Sequence, residues 1–356
     1  MTRHSRRSGA AGAVAATVAA FVAGCSSVDV EPDGASRGAV PSTEAQPSGG
    51  GGSDAGLDPV PALVPDAYRA PAEAAGTLEV VQYASRHDPE GASEVAKEAL
   101  VYLPPGYGEA DASARYDVLY LMHGGGGGIR SWMGDPSRPT ALPSIFDHMI
   151  ADGLVRPMIV VAPTYDTGYG SGGATFQRNV EAFTDELVED LIPVVEERFR
   201  TFAESVDADG LEASREHRAF GGFSMGGVTT WHMLENATEV FAHYLPMSGD
   251  SWNQGMMGGL SATEATVAQL EEGVRESGYG PREVFVFSAT GSEDMAVPNM
   301  DAMAAEVREG SDVFAYTDRG FSEGNFMYWV VEGHLHDYPW GYDYVYSGLQ
   351  MFFPVR

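Results

Sequence analysis

Residues 219–228 read AFGGFSMGGV, and within them Gly222-Phe223-Ser224-Met225-Gly226 fits G-x-S-x-G. An apolar run precedes the motif and a helix-forming run, GGVTTWHMLENA, follows it. That strand-to-helix context is the one a nucleophile elbow requires, with the serine hydroxyl lifted out of a sheet on a tight turn. Glycines on both sides let neighbouring backbone pass where side chains would collide. Ser224 would then stand near the positive N-terminal end of the next helix. A structural glycine-rich loop is the bland alternative, and the match on both sides speaks against it.

A serine hydroxyl at its free pKa is a weak nucleophile and needs a base. In the order Ser…Asp/Glu…His the base comes last, and the segment EGHLHDYPW supplies His334 and His336. A single base is needed, so one of the two serves. The acid is expected after the penultimate strand, where FVFSATGSEDMAVPNMDAM holds Asp294, with Glu293 beside it and Asp301 further on. Asp294 leads and Glu293 is second. Asp250, in MSGD, is a more remote third candidate. Such an acid orients the imidazole and stabilises its charged form. The run LMHGGGGGIRSW puts five glycines after another apolar segment. It reads as an oxyanion loop, with the backbone N–H groups of Met225 and Gly125 as donors and His123 as a buttress. The run lacks G-x-x-x-x-G-K-[ST] and a clean G-x-G-x-x-G, which argues against a nucleotide. His334-x-His336 has no second cluster at ligand spacing, and H-E-x-x-H is absent, so neither metal nor cofactor is expected.

These residues need a frame. TLEVVQYAS and KEALVYLPPG read as an opening antiparallel pair. RYDVLYLMHG, MIVVAPTYD, HRAFGGFS, HYLPMSGD, REVFVFSATGSED and NFMYWVVEG read as further strands. NVEAFTDELVEDLIPVVEERFR carries Val180, Phe183, Leu187, Leu191, Val194 and Val195 at helical spacing. Apolar strands alternating with amphipathic helices imply an α/β fold with a mostly parallel sheet covered on both faces. In such sheets the working residues lie at the carboxyl ends of the strands.

The 356-residue chain is 44% hydrophobic, enough for a sizeable core, and carries 51 acidic against 21 basic residues, a formal net charge of −30. That balance argues against phosphate-backbone recognition, which needs clustered Lys and Arg. The basic MTRHSRRSG followed by apolar AAGAVAATVAAFVAG reads as an export signal over residues 1–24. It ends at Cys25, the one cysteine, in VAGC. This resembles the bacterial lipobox, which implies a lipid-bearing Cys25 and an extracellular, membrane-anchored protein, with the anchor as its contact to the membrane. Residues 25–61, rich in Gly, Ser, Pro and acids, form a flexible tether, and residues 62–356 the folded domain. With a single cysteine, no intramolecular disulfide can form.

Taken together, VYLPPGY…YDVLYLMHGGGG…W, GGFSMGG and GHLHDYPWGYDYVYSGLQMF resemble the esterase D-like α/β-hydrolases, over about residues 77–354. The nearest group is carbohydrate esterase family one, the feruloyl and acetylxylan esterases. The resemblance implies His336, in His336-Asp337-Tyr338, as the base and Asp294, in the turn from Gly291, as the acid. It implies acyl transfer through Ser224 on an acyl or feruloyl ester of xylan. Trp132, Tyr165, Tyr169, Trp252, Tyr338 and Trp340 fall in loops near strand ends, where some could stack on a sugar or phenolic ring. The same group includes siderophore esterases and mycolyltransferases, and a non-catalytic binding lipoprotein is a rival of another class. Oligomeric state is not legible.

Overall fold

The computed structural model describes residues 59–87, 94–165 and 173–355. Residues 1–24, Cys25, most of the tether and Tyr169 lie outside the described residues. Eight strands form the sheet: β1 (Thr77–Ser85), β2 (Val95–Leu103), β3 (Asp117–Met122), β4 (Met158–Ala162), β5 (Arg218–Phe223), β6 (His243–Met247), β7 (Phe285–Gly291) and β8 (Phe326–Val331). Their spatial order is β1-β2-β4-β3-β5-β6-β7-β8. β2 runs antiparallel to both β1 and β4, and the remaining pairs are parallel. The chain thus opens with a hairpin and continues with crossovers through helices, as its alternating pattern implies.

β3 shows why the central strands read as unbroken apolar runs. Val118, Tyr120 and Met122 pack into one core, and Leu119 and Leu121 into the other. A strand buried on both faces has no polar side to alternate with. The main helices are α1 (Ala141–Ala151), α2 (Gly173–Glu186), α3 (Ile192–Arg198), α4 (Ala208–Ala213), α5 (Met225–Asn236), α6 (Gly258–Ser261), α7 (Thr263–Ser277), α8 (Val297–Glu309) and α9 (Tyr338–Phe352). Helices α1 and α9 supply one core, while α5, α7 and α8 help close the other.

The single helix expected over 179–200 is three pieces. α2 ends at Glu186, Leu187–Leu191 is a π-helical turn, and α3 follows. Pro193 has no N–H for the carbonyl four residues back and its ring crowds that carbonyl. The carbonyl of Glu189 instead accepts from the Arg86 guanidinium at 3.2 Å. Most of the predicted apolar stripe is kept: Val180, Phe183, Leu187, Leu191 and Val195 are buried in one core, while Val194 is only half-buried against it.

A strap precedes β1. The Ala62 N–H donates to Ser347 Oγ at 3.0 Å and the Val64 N–H to Asp343 Oδ1 at 2.7 Å, both on α9. Asp343 also lies 3.7 Å from Arg69 and 3.6 Å from His334.

Candidate active site

β5 ends at Phe223 and α5 begins at Met225, leaving Ser224 alone in the corner. Its φ of 57° with ψ of −115° is strained for a residue with a Cβ. The corner is held on both sides: the Ser224 N–H donates to Met247 O of the neighbouring β6 at 2.8 Å, and the Val228 N–H of α5 donates to Ser224 O at 3.1 Å. A Cβ on Gly222 would lie 2.4 Å from Gly226 O, and one on Gly226 would lie 2.7 Å from Met122 O. Both glycines are therefore required by backbone passing backbone, not by flexibility.

Three side chains from three strand ends meet here. His336 Nε2 is 2.9 Å from Ser224 Oγ, and His336 Nδ1 is 2.8 Å from Asp294 Oδ1. Asp294 follows β7, and the segment with His336 joins β8 to α9. The carboxylate can only accept, so Nδ1 carries the proton and Nε2 is left to accept from the serine. Asp294 Oδ1 also accepts from the Ala296 N–H at 2.8 Å. Both partners are shielded, with side-chain exposure of 6% for His336 and 0% for Asp294. Water cannot screen interactions in such a place, which strengthens each of them.

The other candidates lie elsewhere. Glu293 is exposed. Asp301 accepts from Tyr328 Oη at 2.9 Å. Asp250 accepts from Asn299 Nδ2, Trp252 Nε1 and the Gly259 N–H, and burial raises its pKa. It pins the loop after β6 to α8. His334 is buried, tilted against Trp340 at 4.3 Å, and faces Asp343 rather than Ser224.

The glycine loop lies beside the elbow. A Cβ on Gly125 would be 3.2 Å from Met225 Cγ, so these two residues, the expected donors, are neighbours. His123 is buried, with Nδ1 at 2.7 Å from Gly124 O and Nε2 at 2.8 Å from Thr164 Oγ1. Burial pushes its pKa down to about 4, which keeps the ring neutral as a hydrogen-bonding strut.

Of the aromatic residues expected at the substrate, Trp132 needs correction. It is 0% exposed, its indole N–H donates to Met122 O at 2.9 Å, and it packs edge-on to Phe223 and Tyr338. An indole whose faces and N–H are all engaged inside the core cannot stack on a ligand. Tyr165 is largely buried behind α5, its hydroxyl bonded to Thr229 and Met225, yet it lines a cleft of about 520 Å³ with Gly128, Ile129 and Arg130. Trp252 lines another of about 760 Å³ with Val228 and His232. Trp340 is half-buried on His334.

Residues 95–342 match the Esterase family, described as "Putative esterase". The chain belongs to that family. It is 38% identical over 291 residues to "Endo-1,4-beta-xylanase Y" of Acetivibrio thermocellus, covering 81% of this chain and 24% of that protein. It is 36% identical over 159 residues to an endo-1,4-beta-xylanase/feruloyl esterase of Xylanibacter ruminicola, covering 43% of this chain and 20% of that one. The chain thus spans less than a quarter of each of these two relatives. Among solved structures, the feruloyl esterase module from Clostridium thermocellum, a serine-to-alanine mutant complexed with sinapinate, matches with a TM-score of 0.70 at 33% identity. That match covers 84% of this chain and 95% of the module. A ferulic acid esterase of the fungus Anaeromyces mucronatus, 17% identical with a TM-score of 0.57, shares the fold. The α/β-hydrolase architecture and the likeness to carbohydrate esterase family one read from the motifs stand.

Proposed function

We propose that the chain is a serine esterase that removes feruloyl or acetyl groups from xylan-type polysaccharide. The observation that carries the reading is the Ser224–His336–Asp294 relay, at 2.9 and 2.8 Å, beside the Gly125–Met225 pair. Ser224 Oγ attacks the ester carbonyl carbon as its proton passes to His336 Nε2. The carbonyl oxygen becomes an oxyanion, received by the N–H groups of Gly125 and Met225. The carbon–oxygen bond to the alcohol then breaks, and the alcohol leaves with the proton from His336. Water, deprotonated by His336, attacks the acyl-enzyme, and the acid leaves as Ser224 recovers its proton. Asp294 stays ionised throughout and holds the imidazolium.

The xylan assignment is supported by the names of the relatives, a xylanase and a xylanase/feruloyl esterase. The feruloyl assignment is supported by the sinapinate-bound module. The test is hydrolysis by a chain beginning before residue 59, scored on methyl ferulate, acetylated xylan and p-nitrophenyl acetate, with Ser224→Ala as control. Turnover of ferulate or acetylated xylan that vanishes in the mutant is the expected result. Turnover of the nitrophenyl ester alone would keep the nucleophile and move the substrate to siderophore esters or to acyl transfer. No turnover by folded protein would favour the binding lipoprotein.

The VAGC segment supports the further proposal that the protein is exported and lipid-anchored at Cys25. Membrane fractionation of wild type against Cys25→Ala tests it, and equal partitioning of the two would refute it.

A further inference from the structure

We infer that Tyr338 is a positioning residue for the oxyanion hole, fixing the peptide plane that precedes the donor in the glycine loop while His123 fixes the next one. The Gly124 N–H donates to Tyr338 Oη at 2.7 Å. That N–H belongs to the peptide between residues 123 and 124. The next peptide, between residues 124 and 125, contains Gly124 O and the Gly125 N–H. His123 Nδ1 donates to Gly124 O at 2.7 Å, and the Gly127 N–H donates to the same oxygen at 3.1 Å. In a trans peptide C=O and N–H point in opposite directions, and no peptide bond among the described residues is cis. Holding Gly124 O on one side therefore aims the Gly125 N–H at the other. The Gly128 N–H is taken by Ser131 Oγ at 3.0 Å. Tyr338, His123 and Ser131 thus engage the polar groups around Gly125 and leave its N–H as the donor beside Met225.

Glycine loops need such restraint because five consecutive residues without a Cβ have little intrinsic preference. Tyr338 can supply it because its own ring is fixed. It meets Trp132 edge-on at 5.1 Å and Phe223 at 5.2 Å, and Phe223 also meets the His336 ring at 4.7 Å. Trp132 is tied to Met122 O, the residue before His123. A Cβ on Gly341, one turn into α9, would sit 2.9 Å from Trp132, so helix and indole are in direct contact. Two residues apart, His336 reaches Ser224 and Tyr338 reaches Gly124. One short segment thereby sets the base and the oxyanion donor in a common frame.

The inference rests on the reading of Ser224 as nucleophile, and the experiment separates the two. Tyr338→Phe keeps the ring and removes the acceptor for Gly124. With p-nitrophenyl acetate, kcat should fall about 10- to 100-fold with KM within about twofold, the size expected when a donor is mis-aimed rather than deleted. Affinity for phenylboronic acid, whose tetrahedral serine adduct mimics the oxyanion, should fall by the same factor. The pH midpoint of kcat should stay in place, because the His336–Asp294 pair is untouched. The protein should stay folded at the assay temperature, because the aromatic cage is kept and only one hydrogen bond is lost. His123→Asn, whose amide can still donate to Gly124 O, should retain more activity than His123→Ala. Undiminished kcat in Tyr338→Phe, or lost kcat with boronate affinity intact, overturns the positioning role. A shifted pH midpoint also overturns it and moves Tyr338 to the base. Equal turnover by wild type and Ser224→Ala overturns the nucleophile reading along with it.

Discussion

One strand carries two buried polar networks at its opposite ends. At the start of β5, Arg218 is 1% exposed and paired with Glu196 at 2.6 Å. Its remaining donors reach Leu211 O, Val240 O and Ser214 Oγ, and Glu196 also accepts from Tyr120 and Thr201. Just past the other end stands Ser224. There the chain of bonds runs Asp294, His336, Ser224, and Asp294 Oδ2 is buried with no donor among the described residues. The first network is closed, each strong donor answered by an acceptor. The second is a single file of side chains that reaches the strained corner after β5, where Ser224 is itself fully buried. Burial is common to both; what differs is that one centres on a fully answered ion pair and the other on a histidine held between a carboxylate and a hydroxyl.

The sharpest way to break that contrast is at the acid. Asp294→Asn should lower kcat by about four orders of magnitude, because the wrong tautomer of His336 is then favoured, with little loss of stability. Glu293→Gln, one residue away and exposed, should leave kcat within about twofold. Steady-state kinetics on p-nitrophenyl acetate reads both, and equal effects would remove Asp294 from the relay.

At the closed end the expected effect is on stability. Arg218→Met strands the Glu196 carboxylate in the core and should cost about 3–5 kcal/mol in urea unfolding. The kcat per folded molecule should be unchanged. A kcat deficit at full folding would mean that the two ends communicate along β5.

The smallest effect concerns one histidine at each end. Burial lowers His243, at the start of β6, to about 3, and His123, beside the glycine loop, to about 4, from an ordinary 6.5. Between pH 6.5 and about 4 the unfolded chain binds protons at these sites and the folded chain does not. Stability therefore falls as pH falls through that window, each group contributing a slope of up to about 1.4 kcal/mol per pH unit. His243→Phe should flatten the acid limb of a stability–pH curve by about that slope. An unchanged limb would mean that His243 is not held neutral.

Only the family resemblance set His336 apart from His334, whereas the strand-to-helix corner at Ser224 and the glycine loop were legible because each is a pattern of type and spacing along a few residues. Strands buried on both faces were legible for the same reason. Helix α9 was not, since aromatics and glycines fill YPWGYDYVYSGLQMF and blur its period. The π turn was hidden because Pro193 announces a disturbance without saying how it resolves. Trp132 shows the general limit. Its exposure depends on where its indole N–H finds an acceptor, and Met122 O is brought to it by the fold. The choice of Asp294 over Glu293 likewise depends on a turn that sends adjacent carboxylates in different directions.

The strap before β1 has a mechanical side. The chain enters the domain through residues 59–64, and the bonds it meets first are Ala62 to Ser347 and Val64 to Asp343. A pull on the N-terminal end would load these two bonds on α9 before it reached any strand of the sheet. α9 begins two residues after His336. Tension arriving at that end would thus be felt first by the helix that follows His336, before it reached the sheet whose strand ends carry Ser224 and Asp294.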